Sequence, residues 1–212
     1  MSFQSKYCYP GSSVLINNKG IKEQDILDKV EALYTARRLL QLQKKPLQGN
    51  FDLKHLKAIH HYIFQDVYPF AGELRNENIA KGNFRFADAR FIEPAASELF
   101  SNLKIEKQLS GCAHKEFIDR VAYYMAEINV LHPFREGNGR AQREFIRTLA
   151  LRNGYDLDWS IPDKDKVLNA SKLSTSDHRF LNEIISCGIT NEKPNIALKK
   201  SFRRGPSLEL DR

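Results

Sequence analysis

Apolar residues recur at three- and four-residue steps along much of the chain, the spacing of one face of an α-helix. Over 22–43 the rhythm is carried by Ile26, Val30, Leu33, Ala36 and Leu40 with charges between them, which predicts a long helix. A second helix begins at Asp52, a good N-cap, and places Leu53, Leu56, Ile59 and Ile63 on one face. From 76 to 92 the helical spacing is lost. There Lys81-Gly82-Asn83 separates NENIA from FRFADARFI, a turn with short flanking strands that predicts a hairpin. Pro94 suits the first turn of a helix running to about 107. The clearest pattern, 115–131, puts Phe117, Val121, Tyr124, Ile128 and Leu131 on one stripe. Another helix runs from 138 or 139 to 152 and is stopped by Asn153-Gly154. Shorter helices are expected over 164–173 and 176–186. The resulting expectation is a mainly α domain over 21–190 with one small hairpin. An irregular segment, 1–20, precedes it, and 191–212 follows as a basic tail or cloned end.

Composition narrows the function classes. The 212 residues suit one domain, and every apolar run is broken by a charge too soon for a spanning helix. The start, MSFQSKYCYPGSS, lacks a basic region followed by an apolar run, which argues against a cleaved secretory signal. Cys8, Cys112 and Cys187 are odd in number and widely spaced, against a disulfide framework or a cysteine zinc site. His55, His60 and His61 offer no i,i+4 pair for a metal and are expected to be partly exposed. The net charge of +7 is partly local to the last twenty residues. A basic nucleic-acid-binding module would need aromatic platforms along a basic stripe or a helix-turn-helix, and neither is found.

The chemistry is concentrated between the two best helices, in His132-Pro133-Phe134-Arg135-Glu136-Gly137-Asn138-Gly139-Arg140, followed by Arg143. Pro133 disfavours the α conformation at His132, so the first helix ends there and presents the imidazole at its mouth. Gly137, Asn138 and Gly139 tolerate positive φ, and successive N–H groups can turn inward as an anion nest. The dipole of the following helix favours the same anion. Arg140 and Arg143, three apart, share one side of that helix and can both fork onto phosphate oxygens. Glu136, the one carboxylate among these cations, makes sense as a Mg²⁺ ligand beside phosphates. Such a set suits nucleotidyl or phosphoryl transfer. The patterns GxxxxGK[ST] and GxGxxG are absent, which disfavours a P-loop or dinucleotide fold.

HPFREGNGRAQR resembles the Fic motif, HxFx(D/E)GNGRxxR, at every specified position. The resemblance covers about 50–190. It implies a Fic-type helical bundle with a hairpin flap, transferring AMP from ATP to a Tyr, Thr or Ser hydroxyl of a target protein with release of pyrophosphate. By the same resemblance His132 is the base, Phe134 anchors the loop and Glu136 binds Mg²⁺. Gly137, Asn138 and Gly139 cradle phosphates, and Arg140 and Arg143 hold the β- and γ-phosphates. The flap falls at about 78–92, with Lys81, Gly82 and Phe84 near its tip, and aligns target backbone by strand addition. The alternative within the fold is another nucleotide or a phosphate-containing donor.

Many Fic proteins carry an inhibitory helix, (S/T)xxxE(G/N), whose glutamate pairs with the motif's second arginine. No glutamate here fits; the nearest is Glu77-Asn78, four residues after Glu73. The expectation is either a separate inhibitory antitoxin-like protein or constitutive activity. Family relationships place such a chain in the bacterial cytoplasm, as one half of a toxin–antitoxin pair, or in a host cell as a delivered effector. Trp159 is expected in the core.

Overall fold

The computed structural model describes residues 4–82 and 84–203. Its helices are α1 (Gln24–Lys44), α2 (Leu53–Phe64), α3 (Ile92–Ile105), α4 (His114–Leu131), α5 (Asn138–Asn153), α6 (Lys164–Leu173), α7 (Asn182–Gly188) and α8 (Ile196–Arg203). Strands β1 (Ala80–Lys81) and β2 (Phe84–Arg85) form an antiparallel pair in which Ala80 faces Arg85 and Lys81 faces Phe84. The architecture is the expected one, mainly helical with one small sheet. No helix among the described residues is long and apolar enough to cross a membrane.

Helix α5 is the centre of the bundle, packed by α2, α4 and α8, while α3 and α7 cover the remaining sides of α4. The predicted stripe of α4 is buried throughout, from Phe117 to Leu131. Asp52 caps α2 by accepting the His55 N–H at 2.8 Å. Helix α5 ends where Gly154 takes φ 85°; a Cβ there would meet the Asn195 backbone nitrogen at 2.8 Å, so the stop is specific to glycine.

Four expectations are corrected. In α1 the buried positions are Leu27, Thr35 and Leu42, whereas Ile26, Leu33 and Leu40, which carry the periodicity, face solvent. The second arm of the flap stops at Arg85, because Asp88 accepts the Arg90 N–H and opens a 3₁₀ turn over Ala89–Phe91 leading into α3. Over 176–186 the chain makes a 3₁₀ turn, His178–Leu181, before α7 begins. Residues 196–203, expected within a tail, form α8, whose Phe202 is buried beside Phe51 with ring centroids 5.7 Å apart; 204–212 lie outside the described residues.

Two histidines of α2 also differ from expectation. His61 is exposed, but His55 and His60 are fully buried. Backbone groups satisfy the His60 ring through both nitrogens, whereas His55 meets the Leu47 carbonyl through Nε2 at 3.0 Å and its Nδ1 has no partner among the described residues.

Replacing Phe202 by Ala is expected to cost about 3 kcal/mol, the usual loss for a buried aromatic ring, and to lower the melting temperature by several degrees. An unchanged melt would mean that 196–203 contributes nothing to the fold.

Candidate active site

A cavity of about 1240 Å³ opens where the α4–α5 loop, the flap, α6 and the N-terminal segment meet. His132 ends α4 in the left-handed conformation, φ 44° and ψ 61°, which swings its side chain out of the helical path. Its Nδ1 lies 3.3 Å from the Asn129 carbonyl. Donation to that carbonyl fixes the tautomer and leaves Nε2 as the acceptor. The ring stacks on Phe86, centroids 3.7 Å apart. Burial above all, then the charges of Arg75 and Lys81, hold the imidazole down to about 4, with the Asn129 bond opposing. It is therefore neutral at physiological pH.

The loop after His132 is closed by a side chain rather than by free backbone. Asn138 Oδ1 accepts the Phe134 N–H at 2.8 Å and its Nδ2 donates to the Phe134 carbonyl at 2.7 Å. Phe134 is buried against His60, rings 3.8 Å apart, and His60 Nε2 donates to the Glu136 carbonyl at 2.9 Å. Of the three residues that tolerate positive φ, Gly137 alone adopts it, at 78°; a Cβ there would overlap Phe64 at 2.1 Å. Asn138 and Gly139 are instead the first residues of α5, so the helix itself forms most of the cradle. Their N–H groups have no acceptor among the described residues and lie at the cavity wall.

The arginines separate. Arg143 lines the cavity, is half-buried, and has no carboxylate partner among the described residues; desolvation first, then Arg140, lowers its pKa. Gly139 leaves the room for it, since even a Cβ would sit 3.4 Å from Nη1. Arg140 turns the other way. Its Nη2 pairs with Glu31 of α1 at 2.6 Å, Nη1 donates to Thr35 Oγ1 at 3.3 Å, and its guanidinium covers the Phe64 ring. Tyr68 hydrogen-bonds the same Glu31 carboxylate. The shared-side expectation thus fails for Arg140, because a half-buried acid on α1 claims it.

Glu136 projects into the cavity, where its Oε1 accepts the Gly137 N–H at 2.8 Å and lies 3.6 Å from Arg140. No cluster of three or more candidate metal ligands exists among the described residues. A single half-exposed carboxylate beside open N–H donors nevertheless fits Mg²⁺, which holds phosphates through one or two carboxylates. Among the flap residues Lys81 lines the cavity, and Gly82 and Phe84 do not. Phe84 packs edge-on against Phe86.

Several participants escaped the sequence reading. Arg75, 2% exposed, donates to the carbonyls of His132 and Glu77 at 2.8 Å and of Leu131 at 3.2 Å, with Ala87 the fourth acceptor. It ties the base of the flap to the end of α4. Ser5 of the N-terminal segment donates to Glu77 at 2.7 Å, Arg135 pairs with the same carboxylate at 2.9 Å, and Gln4 and Lys6 line the cavity. Trp159, half-buried and packed against the core as expected, also lines the cavity and donates to the Arg143 carbonyl at 2.9 Å. A neighbouring residue type signals none of these roles; each depends on tertiary approach.

A cavity with anion donors at one end and a neutral histidine at the other suits enzymes that transfer a group from a nucleotide to a hydroxyl. The Fic/DOC family model matches residues 50–150, and the chain belongs to that family. It is 42% identical over 165 residues to the protein adenylyltransferase VbhT of Bartonella schoenbuchensis, covering 78% of this chain and 34% of that protein. It is likewise 42% identical over 153 residues to the probable protein adenylyltransferase Fic of Salmonella typhimurium, covering 72% of this chain and 76% of that relative. The fold matches the N-terminal Fic domain of a VirB-translocated effector from Bartonella quintana, solved with bound ADP. That match has a TM-score of 0.84 and 26% identity, covering 91% of this chain and 96% of that one. The chain therefore spans about a third of VbhT and most of the Salmonella protein.

Replacing Arg75 by Met is expected to strip four carbonyls of their donor and cost about 3 kcal/mol or more. Transfer activity should fall at least tenfold, and Arg75→Lys should recover only part of it. Full activity in the Met variant would remove Arg75 from the site's support.

His55, His60 and His132 are all depressed to about 4 by burial, against 6.5 in the unfolded chain. Between these values the unfolded state binds more protons, so stability is complete above pH 6.5 and declines toward pH 4. The expected slope is on the order of 1 kcal/mol per pH unit for each histidine. Urea midpoints at pH 7.5, 6 and 5 measure it, and a flat profile would contradict neutral burial.

Proposed function

We propose that this chain transfers AMP from ATP to a Tyr, Thr or Ser hydroxyl of a target protein. The observation that carries the reading is the shared cavity: among the described residues His132 Nε2 is unbonded at one side, and Arg143 with the N–H groups of Asn138 and Gly139 is unpaired at the other. In the reaction the target oxygen attacks the α-phosphorus while His132 Nε2 takes its proton. The bond from the α-phosphorus to the bridging oxygen breaks, and pyrophosphate leaves. Arg143 and the α5 N-terminus stabilise charge on the departing phosphates. Glu136 would hold Mg²⁺, which supplies further charge neutralisation on the phosphates. Strand β1 and the segment from Asn76 to Lys81 border the cavity, where an extended target segment can add along the strand edge.

Arg140, with its charge already matched by Glu31, acts in this reading as a brace between α1 and the loop, and phosphate binding falls to Arg143. Glu77, the nearest approach to an inhibitory glutamate in the sequence, pairs with Arg135. A separate antitoxin-like inhibitor and action in the bacterial cytoplasm fit the resemblance to the Salmonella Fic protein. Delivery into a host cell is the alternative suggested by the effector relative.

The test uses ATP labelled at the α- or the γ-phosphate, with Mg²⁺ and cell lysate. Label is expected to enter protein from the α-position alone, to vanish in His132→Ala, and to fall at least tenfold in Arg143→Ala. Label from the γ-position would make the enzyme a kinase, and an active His132→Ala would dismiss the histidine as base.

A further inference from the structure

Helix α1 has two dissimilar long faces. Its inner face holds the motif through Glu31 and Thr35, as described above. Its outer face carries a single apolar row at seven-residue spacing: Ile26 is 44% exposed, Leu33 71% and Leu40 58%. Val30, half-buried, and Ala36, exposed, flank the row.

At about 100° per residue, the charges sharing this outward side are Lys29, Arg37 and Lys44. All three are exposed, and none has a carboxylate partner within ion-pair distance among the described residues. The acids of the same helix lie elsewhere. Asp25 sits on the flank of the first turn, Asp28 accepts the Gln24 amide, and Glu31 is turned inward to Arg140. The outer face is thus apolar along its crest and solely basic beside it.

We propose that the outward face of α1 is a docking surface for an acidic amphipathic helix of another polypeptide. A row at seven-residue spacing runs straight along the helix, so a helix lying lengthwise on it can meet Ile26, Leu33 and Leu40 with its own apolar positions. Unpaired cations on both sides of the seam specify acidic flanks on that helix. A second copy of the chain does not satisfy this. Antiparallel pairing centred on Leu33 would set Lys29 against Arg37, and parallel pairing would set each cation against itself. A lipid surface is also a poor match, because the apolar row is one residue wide and has no aromatic anchor, where membrane-surface helices present a broad apolar face. The inference stands on this face alone and does not depend on AMP transfer.

The experiment titrates the full chain with two synthetic heptad peptides of equal length, both with Leu at the seam, one with Glu and the other with Lys at the flanking positions. Fluorescence anisotropy is expected to show binding of the Glu peptide and about tenfold or greater weakening at high salt, in keeping with screening of exposed charges. The Lys peptide should not bind. The double variant Leu33→Glu, Leu40→Glu should lose binding with an unchanged melting temperature, since both side chains are exposed. Absence of Glu-peptide binding, or equal binding by the double variant, would overturn the proposal. So would light scattering showing a wild-type dimer that the double variant abolishes, or Leu33-dependent sedimentation with phosphatidylserine vesicles.

Discussion

The site depends on one buried cation. Arg75 sits where α4 ends, and its guanidinium is matched by four carbonyls rather than by a carboxylate. Two of them, Leu131 and His132, belong to the terminus of α4, where the helix dipole favours positive charge. A non-glycine residue in the left-handed conformation is strained, and His132 is held there by its carbonyl bond to Arg75 and by the Arg75 N–H donating to Pro133. The same guanidinium grips the Glu77 and Ala87 carbonyls, on the segments that enter and leave the flap. Base, loop and flap are therefore oriented by a single side chain, and its charge contributes to keeping the imidazole neutral.

Within the motif, residues of similar chemistry have different work because their neighbours differ. Gly137 must be glycine because Phe64 fills the space a side chain would need. Asn138 spends its side-chain amide on closing the loop, while its backbone N–H, in the first turn of α5, stays open to the cavity. Arg140 and Arg143 lie one helical turn apart, yet Glu31 and Tyr68 draw the first toward α1 and nothing draws the second from the cavity. An arginine is available to a phosphate only where the fold has not already supplied its counter-ion.

This division explains what the sequence could and could not disclose. Helices α4 and α5 were legible because their apolar period and stop signals are local, and the loop between them because its residue types are jointly unusual. The interior of α1 was misleading. Its regular row, Ile26, Leu33 and Leu40, lies outside, while the inward positions Thr35 and Glu31 are polar and answer to Arg140, a partner a hundred residues away. Arg75, Phe86 and the cavity-lining Gln4–Lys6 segment were invisible for the same reason: each looks like ordinary surface or loop until distant chain segments close around it. His60 is the instructive intermediate case, since one α2 histidine among three supports the catalytic loop and only tertiary contact tells which.

The neutral imidazole raises a question of catalytic economy. A base held down to about 4 is weak, and proton transfer to it at neutral pH is less favourable than to an unperturbed histidine. Burial is the main cause and Arg75, which holds the end of α4, adds to it, so basicity cannot be restored without opening the site that orients the ring. Late proton transfer eases this conflict, because the attacking hydroxyl becomes more acidic as its bond to phosphorus forms. In the proposed transfer most of the barrier is lowered at the phosphates, by Arg143 and the α5 N-terminus, and His132 needs only to be neutral, oriented and within reach. Its stack on Phe86 and its bond to Asn129 supply orientation, and burial supplies neutrality. A weak, rigid base among strong anion donors is thus the consistent solution for this cavity.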